Sequence, residues 1–338
     1  MQIDFRSDTV TRPCPAMLEA MPAAEVGDAV FGDDPTVLEL ESFAAHLFGM
    51  EGALFCPSGT MSNQIAIKSH TRPGDQMICD ETAHVYVYEG GGAALHSGIS
   101  CKLMHGDGGR FSAKDVAAAI NPDDPHYPRT RLVSIENTCN KGGGTIWDFD
   151  EIRHISSICL EHDLRLHLDG ARVFNAIVET AETPRDFGEV FDSISVCLSK
   201  GLGAPVGSLL LGGADFIKEA NRMRKAFGGG MRQAGYLAAA GLFALKNNIE
   251  RLADDHCNAE RLSEALAVSS LSGNTLTPET NLVMFDFETP EALTSAMERL
   301  SSEDILTVAM GPRRMRLVTH KDITDEMMDR ALEIIGNL

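Results

Sequence analysis

The stretch Asp192-Ser193-Ile194-Ser195-Val196-Cys197-Leu198-Ser199-Lys200-Gly201-Leu202-Gly203 decides how this chain is read. Ile194, Val196 and Leu198 alternate with small residues, which predicts a strand with one buried face. A second apolar run follows from Pro205 to Leu211. Two glycines break the chain between the runs, so Lys200 stands at a strand end, where α/β proteins gather their ligands. A lysine held between apolar segments is partly desolvated, which favours its neutral, nucleophilic form and makes Lys200 a Schiff-base candidate. The competing reading is a loop lysine in water, and Lys200 alone does not decide between them.

The segment Leu164-Arg165-Leu166-His167-Leu168-Asp169-Gly170-Ala171-Arg172 is a second alternating strand. Leu164, Leu166 and Leu168 share one face, while Arg165, His167 and Asp169 share the other. An aspartate at a strand end suits pyridoxal phosphate, whose pyridine nitrogen must stay protonated if the ring is to accept electrons. Asp169 also fits a helix N-cap, and both readings stand on this segment alone. Earlier in the chain, the apolar run Ala53-Leu54-Phe55-Cys56 enters Pro57-Ser58-Gly59-Thr60, followed by Met61, Ile65 and Ala66 at helical spacing. Free backbone N–H groups at a helix start bind phosphate, Gly59 allows close approach, and Ser58 and Thr60 add hydroxyls. Phosphate turn, acid and lysine in this order make a combined pyridoxal phosphate site.

The sequence resembles the low-specificity L-threonine aldolases, pyridoxal-phosphate enzymes of the aspartate-aminotransferase fold (fold type I). The resemblance runs from Asp4 to about Ile323. It is carried by Asp4-Phe5-Arg6-Ser7-Asp8-Thr9-Val10-Thr11, Gly32-Asp33-Asp34-Pro35-Thr36, Pro57-Ser58-Gly59-Thr60 and Glu136-Asn137-Thr138. It continues in His167-Leu168-Asp169-Gly170-Ala171-Arg172, Leu198-Ser199-Lys200-Gly201-Leu202-Gly203, Gly228-Gly229-Gly230-Met231-Arg232-Gln233 and Arg316-Leu317-Val318-Thr319-His320. The resemblance implies retro-aldol cleavage of L-threonine or L-allo-threonine to glycine and an aldehyde. It also implies His84 stacked on the cofactor ring and His126 near the substrate hydroxyl, the two sharing proton transfer. Ser7, Arg172 and Arg316 would hold the substrate carboxylate, with Arg172 also on the ring oxygen. Arg232 falls among its cofactor-binding positions and Lys225 among its substrate-binding ones. Two positions depart from the family pattern: Phe31 stands where a Tyr is usual near the substrate, and Cys139 where a His is usual.

At 338 residues the chain can bury a large core with a smaller lobe beside it. The strand, helix, strand rhythm from about residue 50 to 211 calls for α/β architecture, a mostly parallel central sheet with helices on both faces, plus a smaller C-terminal α+β lobe. The expected division is an N-terminal arm over 1–25, a large cofactor-binding domain over 26–248 and a small domain over 249–338. The Ala-rich and Leu-rich run Gln233 to Lys246 reads as a buried helix that continues to Leu266 as the bridge. The arm, broken by Pro13, Pro15 and Pro22, is expected to lie on a neighbouring copy.

With 49 acidic against 29 basic residues and a net charge of −20, the surface field repels nucleic acid and anionic membranes. No apolar run spans a bilayer, and Asp4 and Arg6 interrupt any secretory signal. The eight cysteines fall singly, as free thiols do in a reducing compartment, so a cytoplasmic enzyme is expected, with no metal. The partners expected are a small amino-acid substrate and further copies of the chain, a dimer or homotetramer with shared active sites. Three rivals remain open: β-elimination or transamination on the same fold, a metal hydrolase built on His162, His167 and Asp169, and a non-enzymatic pyridoxal-phosphate regulator.

Overall fold

The structure, a computed structural model, describes residues 1–337. After a two-residue strand β1 (Ile3–Asp4), seven strands build the central sheet: β2 (Gly52–Cys56), β3 (Gln76–Asp80), β4 (Ser100–Met104), β5 (Thr130–Glu136), β6 (Arg165–Gly170), β7 (Ser193–Cys197) and β8 (Ser208–Gly212). Their spatial order is β2-β8-β7-β6-β5-β3-β4, and only β8 runs against its neighbours. The expected mostly parallel sheet is therefore present, with the chain reversing between β7 and β8 around Lys200.

Alternate residues of these strands enter different cores, which is why the runs are nearly all apolar. Ala53 and Phe55 pack with Leu209 and Leu211 on one face, against the Pro35–Phe48 and Gly235–Asn247 helices. Leu54 and Cys56 pack with Leu210 on the other, against the Gly59–His70 and Ala214–Ala226 helices. The middle strands differ. Leu166, Leu168, Ile194 and Val196 join the large apolar core, but the opposite face carries His167, Asp169, Ser193 and Ser195, all buried.

The C-terminal lobe has a second core and an antiparallel sheet of β9 (Gly273–Thr275), β10 (Leu282–Phe287), β12 (Val308–Ala309) and β13 (Arg314–Val318), with β11 (Ile305–Leu306) apart from it. Here the N-terminal segment departs from expectation: it lies on its own chain. Strand β1 pairs in parallel with β11, and Ile3 and Phe5 are 0% exposed within the second core. The prolines that break any long helix begin only at Pro13, which leaves residues 3–6 free to extend and bury two large side chains. The bridge also differs, because the helix stops at Asn247 and a new one runs Leu252–Val268. Asn248 leaves the helix to donate to the Leu202 carbonyl at 2.7 Å, tying the bridge to the loop after Lys200. Among the described residues no helix is long and apolar enough to cross a membrane.

Phe5→Ala should destabilise the protein by ~3–5 kcal/mol, the usual cost of emptying a buried aromatic site. Denaturant unfolding measures this, and a loss below about 1 kcal/mol would show that the N-terminal segment is peripheral to the fold.

Candidate active site

The loop ends of β5, β6 and β7 meet the N-terminal segment and β13 around a cavity of about 260 Å³. Its lining includes Ser7, His84, Glu136, Asp169, Arg172, Lys200 and Arg316, residues drawn from six separate stretches of chain. A larger cavity, about 390 Å³, lies by Asp34, Glu41 and Arg224 and holds none of them.

Lys200 is half-buried, and among the described residues its ammonium has neither a hydrogen-bond nor an ion-pair partner. Its backbone is fixed instead, since Thr11 Oγ1 donates to the Lys200 carbonyl at 2.8 Å. Asp169, 1% exposed at the end of β6, accepts from Asn63 Nδ2 at 2.9 Å and from the Ala171 N–H at 3.2 Å. The Gly59–His70 helix begins beside β7: a Cβ on Gly59 would stand 2.6 Å from Cys197 Sγ, so a larger residue would have to displace that buried thiol. Ser58 caps this helix by accepting from the Met61 N–H at 3.2 Å, which leaves the Gly59 and Thr60 N–H groups open to an anion. An unpaired lysine, a buried carboxylate at a strand end and free helix-start amides fit pyridoxal phosphate at three separate points.

The arginines are held differently. Arg172 donates from Nε and Nη2 to the two Asp8 oxygens at 2.8 and 2.7 Å, a bidentate pair with both side chains buried. Burial alone would raise the Asp8 carboxyl, but the charge and hydrogen bonds of Arg172, aided by Lys200 and Arg316, hold it well below the usual carboxylate range. Among the described residues Arg316 reaches only neutral acceptors, Asn140 Oδ1 at 2.6 Å and the Arg6 carbonyl at 2.9 Å, and its buried Nε has no partner. Burial, then the nearby Arg172 charge, lowers it to about 10, so it remains a cation near neutral pH.

His84 Nδ1 lies 2.9 Å from Glu89 Oε1. Burial opposes its charged form, but the Glu89 hydrogen bond and the charges of Asp169 and Glu89 raise its pKa above the ordinary histidine value. Glu136 accepts from the His84 and Asn140 N–H groups at 2.6 and 2.7 Å, and burial followed by the Asp169 charge pushes its carboxyl up to about 7.

Of the residues singled out in the sequence, Ser7, His84, Asp169, Arg172, Lys200 and Arg316 come together here, with Ser58, Gly59 and Thr60 at the neighbouring helix start. The structure does not bring His126 to them. Its side chain is 86% exposed on the proline-rich loop and bonded to Asp124 at 2.7 Å. Phe31, Lys225 and Arg232 also lie elsewhere, in a surface cluster. Arg232 pairs with Asp28 at 2.9 Å and sits 5.8 Å from the Phe31 ring, itself 79% exposed, while Lys225 borders Gly230. Cys139 is buried outside the cavity, with its thiol on the Glu136 carbonyl. His162 ends the Phe149–Glu161 helix at the surface, whereas His167 is buried between Ser193 and Asn63, so the two make no metal site. Sequence reasoning gave no role to Asp8, Asn63, Glu89 and Glu136. Asp8 and Glu136 lie in quoted motifs, whereas no local pattern distinguishes Asn63 or Glu89.

Residues 4–290 match the beta-eliminating lyase family. The chain is 44% identical over 327 residues to a low specificity L-threonine aldolase of Escherichia coli K12, covering 96% of each protein. It is 41% identical to low-specificity L-threonine aldolase 1 of Arabidopsis thaliana, over 95% of this chain and 92% of that one. Among solved structures, the fold matches a threonine aldolase of Leishmania major with a TM-score of 0.85 at 23% identity, covering 98% of both chains. A putative L-allo-threonine aldolase of Listeria monocytogenes matches with a TM-score of 0.81 at 21% identity, over 99% of this chain and 95% of that one.

Removing Asp8 leaves the Arg172 charge buried and unpaired, so Asp8→Ala should cost ~3–5 kcal/mol near neutral pH. Because the folded pKa of Asp8 lies below its unfolded value, the pair's stabilisation is complete above about pH 4 and is lost as the pH falls toward the folded value. Unfolding curves across that acid range should converge for parent and variant; a constant gap down to the lowest accessible pH would contradict the pairing.

Proposed function

Because this chain belongs to the beta-eliminating lyase family and lies close to its low-specificity L-threonine aldolases, we propose that it cleaves L-threonine and L-allo-threonine, with related L-β-hydroxy-α-amino acids, to glycine and an aldehyde. The observation that carries this reading is the meeting, in one cavity, of an unpaired Lys200, a buried Asp169 and the anion-free Arg316. Bound pyridoxal phosphate supplies the electron sink for the pair released when Cα–Cβ breaks. Lys200 would carry it covalently, Asp169 would hold its ring nitrogen protonated, and Ser58, Gly59 and Thr60 would take its phosphate. Arg316 and Ser7 hold the substrate carboxylate, and the remaining Arg172 nitrogen, Nη1, serves as a fixed donor at the same wall. With Nδ1 engaged by Glu89, His84 Nε2 is the nitrogen left to take the hydroxyl proton.

The exposed cluster of Phe31, Lys225 and Arg232, and the loop bearing His126, complete the site of another copy of the chain, which makes the active enzyme a homo-oligomer, a dimer or tetramer, with shared sites. Support comes from their position: a cation that resemblance assigns to the cofactor, and a cation and a histidine that it assigns to the substrate, lie on the surface, away from their own cavity. The acidic, singly spaced-cysteine composition favours a cytoplasmic setting.

Threonine supplied to the cofactor-loaded protein should yield glycine and acetaldehyde in equal amounts, followed by a coupled dehydrogenase assay. Ammonia and a keto acid in their place would make the reaction an elimination. Lys200→Ala should abolish turnover. Mixing it with Arg232→Ala protein should restore part of the activity by regenerating intact sites, and no recovery after verified subunit exchange would refute sharing. His84→Ala should lower kcat more than tenfold, and His126→Ala should do so only in the oligomer.

A further inference from the structure

Behind the cavity, a buried hydrogen-bond chain ends on Asp169, and its direction is dictated by its members. Asn63 Nδ2 stands 2.9 Å from Asp169 Oδ2 and 2.9 Å from Glu89 Oε1. Both hydrogens of the amide are thereby committed to carboxylate oxygens, and Asn63 Oδ1 is left to accept. Its partner is His167 Nε2 at 3.2 Å, which must bear the hydrogen. His167 Nδ1 then accepts from the Ser193 hydroxyl at 2.8 Å, and since that hydroxyl has one proton, its oxygen accepts from His70 Nε2 at 2.8 Å. Every bond in the series points its hydrogen toward Asp169. Burial pushes both imidazoles down to about 3, so they act as neutral dipoles.

The fold sets this chain up with regular geometry. Asn63 and His70 are seven residues apart on one helix, hence on the same face, and His167 and Ser193 are direct neighbours in the β6–β7 register. We infer that Asn63 is a positioning residue for the proposed cleavage, setting Asp169 and the Glu89–His84 pair together from a single amide. The inference rests on the aldolase reading for what Asp169 and His84 do. Glu89 Oε1 receives both Asn63 Nδ2 and His84 Nδ1, so the amide competes with His84 for one oxygen. Without the amide, Glu89 draws harder on the His84 proton, and Asp169 loses the only side-chain donor it has among the described residues. The other groups bearing on His84 and Asp169 are Glu136, Lys200, Cys197, His167 and Tyr88, and the change takes from these only the Asn63 acceptor of His167.

The test compares parent and Asn63→Ala holoenzymes. The variant should bind pyridoxal phosphate at least tenfold more weakly. The acid limb of its kcat/KM profile, and the His84 titration followed by NMR in histidine-labelled protein, should both move up by about 0.5–1 pH unit. Limb and titration that superpose on the parent's, with only the rate or Tm lowered, would reduce Asn63 to a packing residue and overturn the inference. Should the variant not fold, the parent decides: nitrogen shifts must show both His167 and His70 as the Nε2–H tautomer, and an Nδ1–H form at His167 breaks the chain. A parent that releases no aldehyde from threonine removes the underlying reading instead, which is a separate outcome from an active parent with an unmoved variant.

Discussion

Asp8 and Arg172 bury opposite charges against each other at the centre of the molecule, and much of the remaining arrangement follows from having to keep them paired. Arg172 is fixed at the end of β6, so Asp8 must be brought to it. The N-terminal segment does this by anchoring β1 on β11, burying Phe5 in the small lobe and then turning at Asp8–Val10, where Ser7 caps the turn through the Thr9 N–H. The same passage positions both sides of the cavity. Thr11 holds the Lys200 carbonyl, the Arg6 carbonyl receives Arg316, and the Phe5 carbonyl receives the Val318 N–H of β13. One stretch of eight or so residues thus sets the distance between the lysine of one lobe and the arginine of the other.

A second constraint acts from the far side of the sheet. Strands β6 and β7 present apolar residues to the large core and polar ones to the Gly59–His70 helix, which answers with Ser62, Asn63 and His70. Such a polar seam is costly unless every group in it is satisfied. Here Ser62 meets Ser195 and Ser208, Asn63 meets three partners, and His167 meets two. Satisfaction of that kind specifies one register of helix against sheet, and the register is what sets the helix start beside Cys197.

These arrangements were unequally legible in the chain. The alternation at Leu164–Asp169 and Asp192–Leu198 announces both strands and the faces of their side chains, because one face of each is uniformly apolar. Lys200, Asp169 and the Ser58–Thr60 turn are visible for the same reason: each follows directly on such a run. Strand β4 carries no such signature, since it lies at the sheet edge, half exposed, where burial imposes no pattern. The pairing of β1 with β11 joins residues some 300 positions apart, and nothing local in Ile3–Asp4 announces it. Asn63 looks like any polar residue of an amphipathic helix, and Glu89 like a surface acid, until the sheet behind them is present.

The two arginines of the cavity show how packing divides a task that motif resemblance assigns jointly. Arg172 has its charge matched by Asp8 at hydrogen-bond distance on two nitrogens, so an incoming carboxylate meets a pair that is already neutral in sum. Arg316 is surrounded by carbonyl oxygens, which satisfy its donors without cancelling its charge, and its Nε is left with no partner in a buried setting. A buried cation with no carboxylate at contact distance is unfavourable by several kcal/mol, on the order found for other desolvated ions, and the carboxylate of the proposed substrate would relieve it. On the proposed reaction, the attraction for the substrate carboxylate would therefore fall on Arg316 more than on Arg172. Arg172, rigidly held, keeps one face of the cavity in shape, while Arg316 keeps an unmatched charge that would serve the carboxylate of the proposed substrate.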